Sequence, residues 1–238
     1  MKKCLFLLLV ACIFISTGVA CAGGLVPGTP EYEASLLQDM EYRKSLPQTE
    51  VPHAEWYTQR MLASEWGPMP ARYPGIEKLV EELPHGTDVV QWKRDRVVAV
   101  AKHYIGLPYR HHHIPAWSPI VTERSDLSGP GMDCSNFTSW VYNFGFGLLL
   151  NGDVVKQSKM EPRAGFSLPG GMRRIDADGP FMPGDLLYIS DPKHTVVVHT
   201  VIFIDDEHII DSTDGHVAIR HFTGWYRARL SHAIRIFH

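Results

Sequence analysis

The stretch Val196-Val197-Val198-His199-Thr200-Val201-Ile202-Phe203-Ile204 is apolar on both faces a strand would present, broken only by His199 and Thr200. Such a run is expected of a central strand in a sheet. The turn signal Pro183-Gly184-Asp185 leads into a strand over 186–189, and strands over 208–213, 217–222 and 233–237 are expected to complete a meander. Upstream, 89–104 reads as a helix that Gly106-Leu107-Pro108-Tyr109 must stop. Helices first and strands afterwards predict an α+β architecture with an antiparallel sheet.

The 238 residues suffice for one well-cored domain plus an extension. Residues 1–22 read as an export signal: Lys2 and Lys3, an apolar run from Leu5 to Ile15, then small residues. Ala20-Cys21-Ala22 fits a site for removal and release, whereas Gly18-Val19-Ala20-Cys21 partly resembles a lipoprotein box, and both routes stay open. The mature chain is thus expected in the periplasm, in the cell envelope or outside the cell, either soluble or lipid-anchored at Cys21. Residues 23–88 are proline-punctuated, with helical patterns over 30–46, 53–66 and 76–83, and are expected to form a helical strap on the folded unit, 89–238. The stretches 110–131 and 151–180 read as loops. A net charge of −3 leaves no basic footprint for nucleic acid. No cofactor and no oligomeric state is read from the sequence.

Cys134 is the one cysteine outside the export segment, which holds Cys4, Cys12 and Cys21. Exported proteins normally pair their cysteines, so a lone thiol suggests chemistry. Asp133 can act as an N-cap, and Phe137, Trp140, Val141 and Phe144 follow at i, i+3, i+4, i+7. Cys134 then opens an amphipathic helix, where free N–H groups and the positive dipole end favour thiolate. A cysteine nucleophile needs a base, and the base needs an orienter. His199 interrupts the apolar strand and is the candidate base. Asp211, preceded by Ile209 and Ile210, is the candidate orienter, and a strand-end carboxylate capping Ser212 and Thr213 is the plainer reading. Asp211 and His199 share a face only if the loop around Asp205-Asp206-Glu207 has odd length.

Taken in order, Gly106-Leu107-Pro108-Tyr109, Asp133-Cys134-Ser135, Pro183-Gly184-Asp185-Leu186 and His199 to Ile204 resemble the NlpC-type family of bacterial cell-wall cysteine peptidases. The resemblance covers about 89–238. It implies a papain-like α+β fold, with N-terminal helices on a mostly antiparallel sheet and the nucleophile Cys134 at a helix N-terminus. It implies His199 as base and a third polar residue where this chain has Asp211 and many members have histidine. Tyr109 matches a tyrosine that helps bind the oxyanion, and a packing tyrosine is the alternative. Asp133 and Ser135 match positions that hold the amino end of a stem peptide, although N-capping explains Asp133 equally well. The implied activity is hydrolysis of peptidoglycan stem peptides, often between D-glutamate and a diamino acid, so peptidoglycan or its fragments are the expected partners. Two other classes remain: an acyltransferase or amidase with the same Cys-His pair, and a non-catalytic wall-binding protein. Where relatives carry tryptophan and glycines, this chain has Arg110-His111-His112-His113. Three adjacent histidines rarely converge on one ion, so no metal site is expected.

Overall fold

The computed structural model describes residues 23–45, 75–109, 132–162 and 167–238. The export segment, the helix expected over 53–66 and His111-His112-His113 lie outside the described residues. Seven helices are described: α1 (Pro30–Leu36), α2 (Met40–Ser45), α3 (Glu77–Glu81), α4 (Val89–Lys102), α5 (Cys134–Phe146), α6 (Val154–Ser158) and α7 (Gly224–Ala228). The strands are β1 (Arg173–Asp176), β2 (Leu186–Ser190), β3 (Val197–Phe203), β4 (His208–Thr213), β5 (His216–His221) and β6 (Leu230–Arg235). They form one antiparallel sheet in the order β1-β6-β2-β3-β4-β5. The α+β class with helices before strands is therefore the observed one.

The expected meander holds only from β2 to β5. Instead of extending the sheet beyond β5, β6 returns to pair with β2, and β1 pairs on its outer side. The stretch read as a loop over 151–180 contains both α6 and β1, and α7 was not foreseen. These elements span four or five residues, too few to show a period.

From His199 to Phe203 β3 is buried on both faces as its composition demands, whereas Val198 at its start is 45% exposed. Leu186, Tyr188, Ile202, Ile210 and Ile234 join one cluster with Trp92 and Val97 of α4 and with Phe137, Trp140 and Phe144 of α5. On the other face Leu187, Ile189, Val201, Phe203, Ile209 and Ala233 pack with Phe222, with Tyr226 of α7 against them. Each such aliphatic side chain contributes about 2 kcal/mol by leaving water. At the turn before β2, Gly184 takes φ +87 so close to α4 that a Cβ would meet Val97 Cβ at 3.2 Å and the Arg94 carbonyl at 3.3 Å. A side chain there would push helix and turn apart.

α5 departs from the amphipathic helix expected. Every one of its residues is buried, polar face included. Thr138 Oγ1 shares a hydrogen bond with Gln157 Oε1 of α6 at 3.1 Å, and Ser139 Oγ donates to the Leu150 carbonyl at 2.8 Å. Gly147 ends the helix at φ 70, in the left-handed region where glycine is strain-free.

The single helix expected over 30–46 is two, α1 and α2, because the chain turns at Asp39 to reach buried charge. Arg96 of α4 is 0% exposed, and its Nη2 donates to both Asp39 carboxylate oxygens at 2.8 and 3.0 Å. Arg43 Nε donates to the same carboxylate at 2.6 Å. The two guanidinium groups also bond the Phe144 and Gly145 carbonyls, which the helix itself leaves unfilled at the end of α5. Tyr32, Leu36 and Met40 are buried alongside. Residues 23–45 are thereby fastened to the two helices behind the sheet.

Candidate active site

Asp133 caps α5: its side chain accepts from the Asn136 N–H at 3.0 Å, which leaves Cys134 as the first helical residue. The Cys134 N–H is among those that no carbonyl of the helix can satisfy. Cys134 is the free cysteine among the described residues and is 8% exposed.

Cys134 must meet a histidine on the far face of the sheet. His199 is the cross-strand partner of Ile189, and Val201 that of Leu187, which places His199 on the face turned away from α5. The meeting depends on a gap. β3 and β4 pair only at Ile202↔Ile210 and Phe203↔Ile209, and beyond these pairs the ladder ends. The start of α5 comes in there, where Ser212 Oγ of β4 donates to the Met132 carbonyl at 2.6 Å. Cys134 consequently interacts with groups of both faces, Tyr188 on the helix side and His199 on the other.

The pairing also fixes the loop. With Phe203↔Ile209 as the closing pair, residues 204–208 lie between, an odd number, so His199 and Asp211 share a face. His199 Nε2 and Asp211 Oδ2 stand 2.6 Å apart, with Asp211 0% exposed. With Nε2 committed to Asp211, Nδ1 is the ring nitrogen left for Cys134. Burial opposes the imidazolium, but hydrogen bonds with Asp211 and Cys134 outweigh it and push the His199 pKa up to about 10. At neutral pH the ring holds its proton between the carboxylate and the sulfur. This arrangement can support nucleophilic attack by sulfur and proton delivery by imidazole.

Tyr109 arrives by a separate route. Gly106 turns the chain at φ +89, and the segment then runs beside β5, with the Tyr109 N–H donating to the Gly215 carbonyl at 2.8 Å. The Met132 N–H donates to the Pro108 carbonyl at 3.1 Å, joining Tyr109 to the residues that precede Cys134. Burial, then the nearby Asp133 and Cys134, push the phenol up to about 12, so it remains a donor at working pH. A hydroxyl beside the nucleophile can serve a developing oxyanion, a service worth about 3 kcal/mol. Tyr109→Phe is therefore expected to lower kcat of acyl transfer through Cys134 about hundredfold with KM little changed, measured by steady-state kinetics on an amide that the wild type cleaves. Asp133 is 4% exposed and Ser135 is 3% exposed, with the Ser135 carbonyl accepting from Thr138 Oγ1 at 3.1 Å and Gln157 Nε2 at 3.3 Å. Both flank Cys134, and Asp133 makes the capping contact.

Three neighbours escaped the sequence reading. Arg220 Nε donates to Asp211 Oδ1 at 2.8 Å, Tyr226 OH donates to Asp211 Oδ2 at 2.9 Å, and the Trp225 ring lies 5.5 Å from that of His199. A signal for Arg220 was present. Asp214-Gly215 is a two-residue hairpin turn, with φ of 46 and 95, flanked by the pair Thr213↔His216. That turn sets Asp211 opposite Ala218 and so places Arg220, two residues on, on the same face. Trp225 and Tyr226 had no such signal, since α7 is a five-residue helix brought in by the fold.

The model of the NlpC/P60 family matches residues 108–235, more than half of the chain. The chain belongs to the NlpC/P60 family. No curated protein sequence matches it. Among solved structures, an NlpC/P60 family protein of Bacillus cereus is 23% identical with a TM-score of 0.44, over 61% of this chain and 40% of that one. This chain thus spans less than half of that protein's length. The NlpC/p60 domain of the peptidoglycan hydrolase SagA is 22% identical with a TM-score of 0.40, over 60% of this chain and 97% of that one. RipD of Mycobacterium tuberculosis, described as a non-catalytic NlpC/p60 protein adapted to peptidoglycan binding, is 14% identical with a TM-score of 0.46, over 61% and 98%. The NlpC/P60 family includes cell-wall hydrolases and non-catalytic members, and its domains act on or bind peptidoglycan. Among the described residues no cluster of three or more His, Cys, Asp or Glu could hold a metal ion, and no helix is long and apolar enough to cross a membrane.

Proposed function

We propose that this NlpC/P60 protein is a cysteine peptidase that hydrolyses an amide bond in peptidoglycan stem peptides, the bond between D-glutamate and the following diamino acid. The observation that carries this reading is the buried series Cys134, His199, Asp211, with His199 Nε2 2.6 Å from Asp211 Oδ2 and the ring hydrogen-bonded to Cys134 as well. In this mechanism Cys134 Sγ adds to the amide carbon, and the oxyanion is met by Tyr109 OH and the N–H groups opening α5. His199 Nδ1 delivers its proton to the leaving amine, the C–N bond breaks, and a thioester remains. Water then loses a proton to His199 as it attacks the thioester. The C–S bond breaks, the acid is released, and the sulfur leaves as thiolate beside the ring that has kept water's proton, which restores the pair. Asp133 and Ser135, flanking the nucleophile, take the amino end of the stem. The export segment over 1–22 would deliver the enzyme to the envelope, with Cys21 available as a lipid anchor.

Purified peptidoglycan and free stem peptides digested with wild type and with Cys134→Ala decide the matter, with fragments identified by mass spectrometry. The wild type is expected to release fragments ending at D-glutamate, and Cys134→Ala none. If neither substrate yields a Cys134-dependent fragment while the protein still sediments with walls, this domain is a wall binder.

A further inference from the structure

We propose that Arg220 and Tyr226 are positioning residues that hold Asp211 as a hydrogen-bond acceptor in one orientation against His199 throughout the reaction cycle. The proposal rests on the catalytic reading of Cys134 and His199 given above.

Asp211 is 0% exposed, and its donors divide between its two oxygens: His199 Nε2 and Tyr226 OH at Oδ2, Arg220 Nε at Oδ1. Arg220 is itself clamped, with Nη2 donating to the Thr213 carbonyl at 2.8 Å and the His216 carbonyl at 3.2 Å across the Asp214-Gly215 turn. The charged and titratable groups facing this carboxylate are His199 from β3, Arg220 from β5 and Tyr226 from α7, with Cys134 beyond His199. Asp214 acts on Tyr226.

When His199 gives its proton to the leaving amine, Asp211 loses the cation that justified its charge. A buried carboxylate without a cation takes up a proton or turns away. Arg220 stays protonated at every step, so the carboxylate stays an acceptor, the remaining ring proton stays on Nε2, and Nδ1 is free to act as base on water. A merely structural arginine would not affect the titration of the pair.

The test is the rate of Cys134 alkylation by iodoacetamide, followed from roughly pH 4 to pH 10, for the wild type, Arg220→Gln, Arg220→Lys, Tyr226→Phe and His199→Ala. Removing a cation paired with a buried carboxylate favours protonation of the cluster, so the acid limb in Arg220→Gln is expected to move up by about one pH unit. That is a tenfold slower rate at a pH on that limb. Arg220→Lys, which keeps the charge, is expected to return the limb to within about threefold of wild type. Tyr226→Phe should move it the same way as Arg220→Gln, by about threefold. A folded Arg220→Gln with an unmoved limb overturns the proposal. Should Arg220→Gln fail to fold, an unmoved limb in Tyr226→Phe overturns it. If His199→Ala alkylates as the wild type does at every pH, the catalytic reading fails and the proposal falls with it.

Discussion

Asp211→Asn is expected to lower kcat/KM on stem peptides by about ten-thousand-fold, the scale seen when a histidine is left in the wrong tautomer. The reason lies in the donors around the group. Oδ2 accepts from His199 and Tyr226, and Oδ1 accepts from Arg220. An asparagine that turns its oxygen to His199 points its NH2 at the Arg220 guanidinium. Turned the other way, its NH2 faces Nε2, which must then be bare, and the ring proton moves to Nδ1, where Cys134 needs a base. The first placement sets donor against donor at Arg220 and the second does so at Tyr226, around a position that is 0% exposed.

The pH dependence should change as well. The raised His199 pKa means that the protonated ring adds stability below its ordinary value near 6.5, and that this stability is lost as pH rises through about 10. Without the Asp211 charge the ring loses an anion, so the alkaline limit of activity should move down from about 10. A pH–rate profile of Asp211→Asn beside a thermal melt separates this from loss of fold. An alkaline limit that stays in place would refute the assignment of Asp211.

The second large effect is on stability. Asp39→Ala is expected to cost about 3 to 5 kcal/mol, because it strands Arg96 and Arg43 beneath the N-terminal segment. Burial lowers the Arg96 pKa, and Asp39 offsets that only in part. Burial opposes the Asp39 charge too, but Arg96 and Arg43 overcome it and hold the carboxyl below its usual range. Asp39 therefore stabilises the fold above pH 4 or so, and this contribution is lost as pH falls through its lowered folded value. Urea unfolding at neutral pH measures the cost. The combined change Asp39→Leu, Arg43→Met and Arg96→Met should recover most of it, since an apolar set in that place leaves no stranded charge. A single Asp39→Ala variant as stable as wild type would mean that water reaches the arginines.

Much of the site could be read locally. A capping aspartate before Cys134 and a histidine inside an apolar run are features of neighbouring residues, and helix and strand geometry act over the same range. The two-residue turn at Asp214-Gly215 also carried the position of Arg220, had its register been followed. Short elements were illegible for the opposite reason. α6, α7 and β1 exist because long-range packing holds them, and four or five residues cannot display a period.

The sequence by itself determined the long helices before a run of strands, the burial of β3 on both faces from His199 onward and the identity of a thiol beside a helix cap. It left open which face His199 and Asp211 would share, because a strand's two faces alternate residue by residue and one residue in a loop reverses them. Only the tertiary structure decided that five residues separate Phe203 from Ile209. It alone ended the β3–β4 ladder after two pairs, so that α5 on one side of the sheet could bring its cysteine to a histidine on the other. It also set a tyrosine from α7 and an arginine from β5 on one buried carboxylate. The Ser212–Met132 contact joins residues 80 apart in the chain, and what selects such a contact is the packing of the whole core.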